Sequence, residues 1–250
     1  MRRSTRVFIM RKSTLLLLTC LATFASDAQP LLDQPAVEDC ALRTGEVLKY
    51  SANLKGIPAG IQILQVNGKK KLDGYEVYHV ESLSKVGSLF SIFYPFNNRS
   101  ESFIDSKSFY PIHYRRNLRD GGYSGSTFVD FDQVNQVARI VKDQKRIELD
   151  IPIGIQDELS VIYLLRTKDI EVGRKYEFPA LIGTKPLKAS VSVLRTERIK
   201  TALGTLKTIV VKTIPKGFTM WLTHDAARIP VRIEANTKIG KLVFNLKEMN

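Results

Sequence analysis

GEVLKYSANLKGIPAGIQILQVNG, residues 45–68, has a period of two. Val47, Lys49 and Ser51 alternate with Leu48, Tyr50 and Ala52, and Ile61, Ile63 and Gln65 alternate with Gln62, Leu64 and Val66. That spacing sends successive side chains to opposite faces of a β-strand. Asn67-Gly68 then has the chemistry of a tight hairpin turn, because both residues tolerate positive φ. The reading is of two half-buried strands, and the rest of the chain extends it.

Further strands are predicted at Tyr75 to Ser82, Arg99 to Asp105, Pro111 to Leu118, Tyr123 to Phe131, Gln136 to Lys142 and Lys145 to Leu149. Asp73-Gly74, Asp120-Gly121-Gly122 and Asp132 to Asn135 supply the turns between them. Six more follow at Tyr176 to Ile182, Lys188 to Thr196, Leu206 to Ile214, Phe218 to Leu222, Val231 to Ala235 and Lys241 to Leu246. Short strands separated by regular turns predict an all-β protein, an antiparallel, strongly curved sheet forming a barrel- or spiral-like domain. Strand content should exceed the usual fifth to quarter of residues.

Two segments break the pattern. Asp157 to Arg166 carries Leu159, Ile162 and Leu165 on one helical face with Tyr163 beside them, and Asp157 suits an N-cap. One helix is therefore expected near residues 157–167, covering the opening or inner face of the sheet. Gly87 to Phe96 is too continuously apolar for a half-solvated strand. Leu89 to Phe96 is either a plug for one end of the barrel or an exposed flap at a ligand mouth or partner surface.

At the N-terminus, Arg2, Arg3, Arg6, Arg11 and Lys12 precede an apolar run from Thr14 to Ala25, and Ser26-Asp27-Ala28 ends it with small residues. This is the layout of a secretory signal peptide, residues 1–28, with cleavage near Ala28. The run is far shorter than the roughly 20 residues that span a bilayer. It is also Leu-dense rather than amphipathic, unlike a transit peptide. Leu17-Leu18-Thr19-Cys20 resembles a lipobox with bulky Thr19 where a small residue is wanted, and Met10 before Arg11-Lys12 would open a shorter signal. The expected location is periplasmic or cell-envelope associated. Residues 29–44, with Pro30 and Pro35, look like an arm ahead of one domain over 45–250.

Cys40 is the only cysteine left after such cleavage, which rules out a disulfide within the chain. The full sequence carries a net charge of +13. Removing the five basic residues and Asp27 of the signal leaves 33 Lys and Arg against 24 Asp and Glu, or +9. A basic exported protein favours anionic surfaces such as lipid head groups. Lys69-Lys70-Lys71, Arg115-Arg116 and Lys185/Lys188 are dispersed and lack interleaved aromatics, so they read as solvated strand faces, and no nucleic acid partner is expected.

Motifs for chemistry are scarce. His79, His113 and His224 have no ligand spacing with one another or with cysteine, so no metal site is expected. Gly122-Tyr123-Ser124-Gly125 misses the nucleophile-elbow pattern and falls in a turn. No glycine-rich phosphate loop is present, and no cofactor is expected. His224-Asp225 is the nearest approach to a catalytic pair, but Asp225 and Arg228 read better as a turn clamp. Trp221 is a core residue or a ligand contact. Asp157 and Glu158 are explained by helix capping. No catalytic, cofactor-binding or metal residues are assigned.

Four groups of residues together resemble exported bacterial proteins carrying the domain of unknown function numbered 3108. They are Gly45 to Tyr50, Ile57-Pro58-Ala59-Gly60, Asp157-Glu158-Leu159-Ser160 through Tyr163 and Arg166, and Trp221 to Asp225 through Arg228-Ile229-Pro230-Val231. The likeness covers Gly45 to the C-terminus, with Glu158 standing where Pro is expected. It implies a curled antiparallel sheet in an exported protein and no established activity. The expected function is a non-catalytic envelope protein binding an apolar or amphipathic molecule, a lipid or another anionic envelope component. The alternative is a scaffold or assembly factor that binds envelope proteins through Leu89 to Phe96 or a sheet edge. An enzyme is the third reading, and the chain is not expected to be an integral membrane protein.

Overall fold

A computed structural model describes residues 28–33, 42–87, 91–92, 94–237 and 240–250. The expected signal peptide up to Asp27, Cys40, Leu89, Phe90 and Phe93 lie outside the described residues.

Strands account for 67% of the described residues, and all fifteen form one sheet. The first meander runs through β2 (Val47–Leu54), β3 (Ile57–Leu72), β4 (Tyr75–Val86), β5 (Phe96–Asp105), β6 (Pro111–Asp120), β7 (Tyr123–Asp132), β8 (Val137–Lys142) and β9 (Lys145–Asp150). The second comprises β10 (Lys175–Ile182), β11 (Lys185–Thr201), β12 (Gly204–Ile214), β13 (Thr219–Thr223), β14 (Pro230–Thr237) and β15 (Gly240–Met249). Antiparallel pairing of β15 with β2 joins the meanders edge to edge. The short β1 (Gln29–Pro30) adds to β10 in parallel.

The sheet is curled but not closed. Six bulges, including those at Ala52/Asn53, Val66/Gly68, Val193/Arg195 and Leu246/Glu248, add local twist and help a long sheet coil. The linker from Ile151 to Gln156 spans the gap between its margins. On one side Ile151 N–H donates to Gln136 O, and Gly154 N–H to Gln133 Oε1. On the other, Gln156 N–H donates to Pro179 O and Leu181 N–H to Gln156 O. Backbone groups on the open edge of β10 are thereby paired by β1 and Gln156.

Inward positions follow the predicted alternation: Leu48, Tyr50 and Ala52 of β2 and Gln62, Leu64 and Val66 of β3 are buried. Asn67-Gly68 is a correction. The chain does not turn there; β3 continues to Leu72, with Lys69 opposite Tyr78. Gly68, at φ +133°, sits at the bulge, and the turn falls at Asp73-Gly74, whose φ values of +49° and +84° suit a tight hairpin. Of the expected arm only residues 29–33 and 42–44 are described, and there Leu31 and Leu42 are buried in the core and Leu31 N–H donates to Glu177 O.

Helix α1 (Ser160–Thr167) lies on the inner side of the curled sheet as expected, between two hydrophobic clusters. Leu159 and Tyr163 join the cluster built largely on β2–β8, and Leu164 and Leu165 join the one built largely on β10–β14. It starts later than expected. Its N-cap is Leu159, and Asp157 instead closes the turn just ahead of the helix, accepting Leu159 N–H at 2.7 Å and Ser160 N–H at 2.8 Å, while its own N–H donates to Ser160 Oγ at 2.9 Å. Among the described residues no helix is long and apolar enough to cross a membrane.

Candidate functional site

A cavity of about 270 Å³ lies inside the curl, between the two meanders and beside the start of α1. Its walls differ in character. Phe178, Ala180 and Ile182 of β10, Ala189 of β11, Met220 of β13, Ile233 of β14 and Phe244 of β15 make one wall apolar, with Val161 and Ile162 of α1 adjoining. Facing strands contribute Gln62, Ser82, Ser84, Asn98, Ser100 and Tyr114.

The polar wall arises because the inward row of β4 runs Tyr78, Val80, Ser82, Ser84, while that of β5 runs Ile104, Ser102, Ser100, Asn98. Pairing sets Ser82 opposite Ser100 and Ser84 opposite Asn98, so both rows turn polar at the same level. Much of this wall is bonded to itself. Gln62 Nε2 donates to Ser82 Oγ at 2.8 Å, Ser84 donates to Gln62 Oε1, and Tyr114 O–H donates to Ser100 Oγ at 3.3 Å. Burial is therefore offset by partners, as polar groups in a protein interior require.

At the polar end, Asp157 is buried and takes the Ser102 hydroxyl at 2.6 Å besides the two backbone amides. Burial dominates these three bonds and pushes its carboxyl up to about 6. Burial likewise raises the Tyr114 phenol. Glu158 lies toward solvent, between Arg116 at 3.5 Å and Lys216 at 3.6 Å. Arg116 also donates from Nε to Asn98 Oδ1 at 2.8 Å. The β12–β13 turn, Ile214 to Phe218, lines this side of the cavity with Lys216 and half-exposed Ile214.

Several residues singled out by sequence occupy other places. Trp221 is core: its indole N–H donates to Glu197 Oε1, the Arg232 guanidinium sits 5.0 Å from its ring, and it does not line the cavity. Asp225 does clamp its turn, accepting from Thr223 Oγ1 at 2.7 Å and from the N–H groups of Ala227 and Arg228 at 3.1 Å. Arg228 reaches Asp169 instead, at 3.1 Å, and His224 is exposed. His79 and His113 both pack on Phe103, and His113 bonds Asp130 and Asp73. Gly122-Tyr123-Ser124-Gly125 is a turn and the start of β7. Among the described residues no group of three or more His, Cys, Asp and Glu is placed to hold a metal ion. Ile92 and Tyr94, at the described end of the aromatic segment, are exposed.

Three groups of sequence landmarks converge away from the cavity, on a buried knot. Arg166 of α1 donates from Nη1 and Nη2 to Glu46 Oε1 and Oε2 at 2.6 and 2.8 Å, and from Nε to Ala227 O at 3.0 Å. Tyr50 O–H donates to Pro230 O at 2.6 Å. Glu46, Arg166, Tyr50 and Tyr163 are all buried. This arrangement ties α1 to both meanders, which is a structural role. The cavity residues Ser82, Ser84, Asn98 and Ser100 escaped sequence reasoning, although the switch from apolar to polar along the inward rows of β4 and β5 was a readable signal.

The fold has a counterpart among solved structures. A β-barrel-like protein of the domain of unknown function DUF1849 from Brucella abortus is 11% identical, with a TM-score of 0.54, over 84% of this chain and 99% of that one. A protein provisionally described as a lipoprotein, from Parabacteroides distasonis, is 12% identical over 90% of this chain and 100% of that one, with a TM-score of 0.39. A protein from Bacteroides fragilis provisionally described as exported, with a YmcC-like fold, is 11% identical over 83% and 96%, with a TM-score of 0.30. No curated protein matches the chain. Residues 49–247, most of the curled sheet and all of the cavity lining, match the model of the family described as protein of unknown function, DUF3108, and the chain belongs to that family.

Proposed function

We propose that the protein is a non-catalytic binding module of the cell envelope, holding an apolar or amphipathic molecule inside the curl of its sheet. The cavity between the meanders carries this reading. It is concave and mostly apolar, and a few polar groups gather on one side, the combination expected of a small-molecule site. The signal-like N-terminus supports an exported location, and the basic balance supports an amphiphile of the envelope as the ligand.

Native and denaturing mass spectra of gently purified, exported protein test the reading. The native form should carry an extra mass that denaturation releases. Ala180→Trp, which projects an indole into the cavity, should lose that mass while keeping the far-UV circular dichroism of the parent. Equal masses in both states, together with no binding of a polarity-sensitive fluorophore, would overturn it. The scaffold reading draws on exposed Ile92 and Tyr94. It gains if the protein is empty and changing both residues to Ser abolishes a pull-down partner.

A further inference from the structure

The polar end of the cavity has more hydrogen-bond donors to give than its own groups use. Ser82 Oγ and Ser100 Oγ each accept a bond within the wall, from Gln62 and Tyr114, which leaves each hydroxyl proton to be donated. Asn98 spends its carbonyl oxygen on Arg116, which leaves its amide N–H groups. Lys216 is 3.6 Å from Glu158, too far for a hydrogen bond, so its ammonium donors are also unspent. A ligand meeting this set should present acceptors.

Charge points the same way at the rim, where Arg116 and Lys216 share the single carboxylate of Glu158. The second carboxylate, Asp157, lies at the buried end, where the Ser102 hydroxyl and two backbone amides already occupy its oxygens, so the excess of cations is confined to the rim. Size adds a limit. At about 270 Å³ the cavity falls just below the roughly 300–1,000 Å³ of typical ligand pockets, which favours a slim ligand over a bulky one.

We propose that the cavity takes a single-chain amphiphile with an anionic, acceptor-rich head, held at the Lys216 and Arg116 end with its chain against Phe178, Met220, Ile233 and Phe244. This rests on the binding reading above and adds the class of ligand. A carboxylate and a phosphate head share the required chemistry.

The test is displacement of a polarity-sensitive fluorophore from the full chain, above neutral pH, by four amphiphiles with the same dodecyl chain: tridecanoate, dodecyl phosphate, dodecanol and dodecyltrimethylammonium. At least one anion should bind roughly tenfold more tightly than the cation, and the stronger anion identifies the head. Lys216→Glu should weaken that anion by roughly tenfold and leave dodecanol within about twofold. Lys142→Glu, exposed on β8 away from the cavity, changes net charge equally and should leave all four affinities unchanged. Equal binding of anion and cation, or equal effects of the two lysine variants, overturns the anionic-head proposal while the binding module stands. If none of the four displaces the fluorophore, the binding reading fails with it.

Discussion

Replacing Glu46 by Gln probes the buried knot that fixes α1 inside the sheet. The side chains of Glu46 and Arg166 are 5% and 2% exposed, and the pair is bidentate at 2.6 and 2.8 Å. The neutral amide keeps the shape but removes the charge and one acceptor, leaving a buried guanidinium without its carboxylate. Breaking a buried pair from one side costs about 3–5 kcal/mol. Against a typical net stability of roughly 5–15 kcal/mol, that is a large fraction. Arg166→Met should cost a similar amount, because it strands the carboxylate. The double variant Glu46→Leu/Arg166→Met removes both charges and should recover most of the loss, since a buried ion pair repays little more than its own desolvation. Trp221, the only tryptophan and largely buried, reports unfolding by fluorescence in urea. The expected result is a lower midpoint for each single variant at an unchanged slope, and coupling of at least about 2 kcal/mol in the cycle. Single variants losing less than about 1 kcal/mol, or a double variant equal to their sum, would falsify the claim that the pair acts as one buried unit.

Asp157 should make stability depend on pH in the direction opposite to an ordinary salt-bridged carboxylate. Its folded value of about 6 lies above the ordinary 3.8, so across that window the native state holds a proton that the unfolded chain has lost. Stability should fall by up to about 3 kcal/mol as pH rises through it, and Asp157→Asn should flatten that slope in urea titrations at several pH values. A wild-type stability that instead rises across the window attributable to Asp157 would contradict this environment. Asp225→Ala removes the acceptor shared by Thr223, Ala227 and Arg228 and should cost about 1–2 kcal/mol in thermal unfolding. His224→Ala, at an exposed site, should stay within about 0.5 kcal/mol. A larger effect at His224 than at Asp225 would reject the turn-clamp role.

Local pattern carried the strands well. The alternation at Val47 to Ala52 and the turn chemistry at Asp120-Gly121-Gly122 placed the start of β2 and the β6–β7 turn where the structure has them. Asn67-Gly68 went astray because two turn-competent pairs lie within one extended stretch, and their own chemistry does not choose between a bulge and a turn. Pairing with Tyr75 to Tyr78 decides it. The helix was visible as a periodic apolar segment, but not its setting between two clusters. A single stripe in sequence understates an element enclosed on both sides, and nothing local to Arg166 identifies Glu46, 120 positions away, as its partner.

What the sequence determined by itself is what depends on neighbours along the chain: alternating faces, turn residues, the helical stripe after Asp157, the basic balance and the family. What only the tertiary structure decided is what depends on residues far apart. Pairing of β15 with β2 brings the chain's two meanders into one sheet, the linker at Ile151 to Gln156 bridges its margins, and the cavity forms between walls separated by about a hundred residues. The polar switch along the inward rows of β4 and β5 is legible in sequence, but what those rows face is not. Ser82 and Ser100 become part of a site only because curling places an apolar wall opposite them.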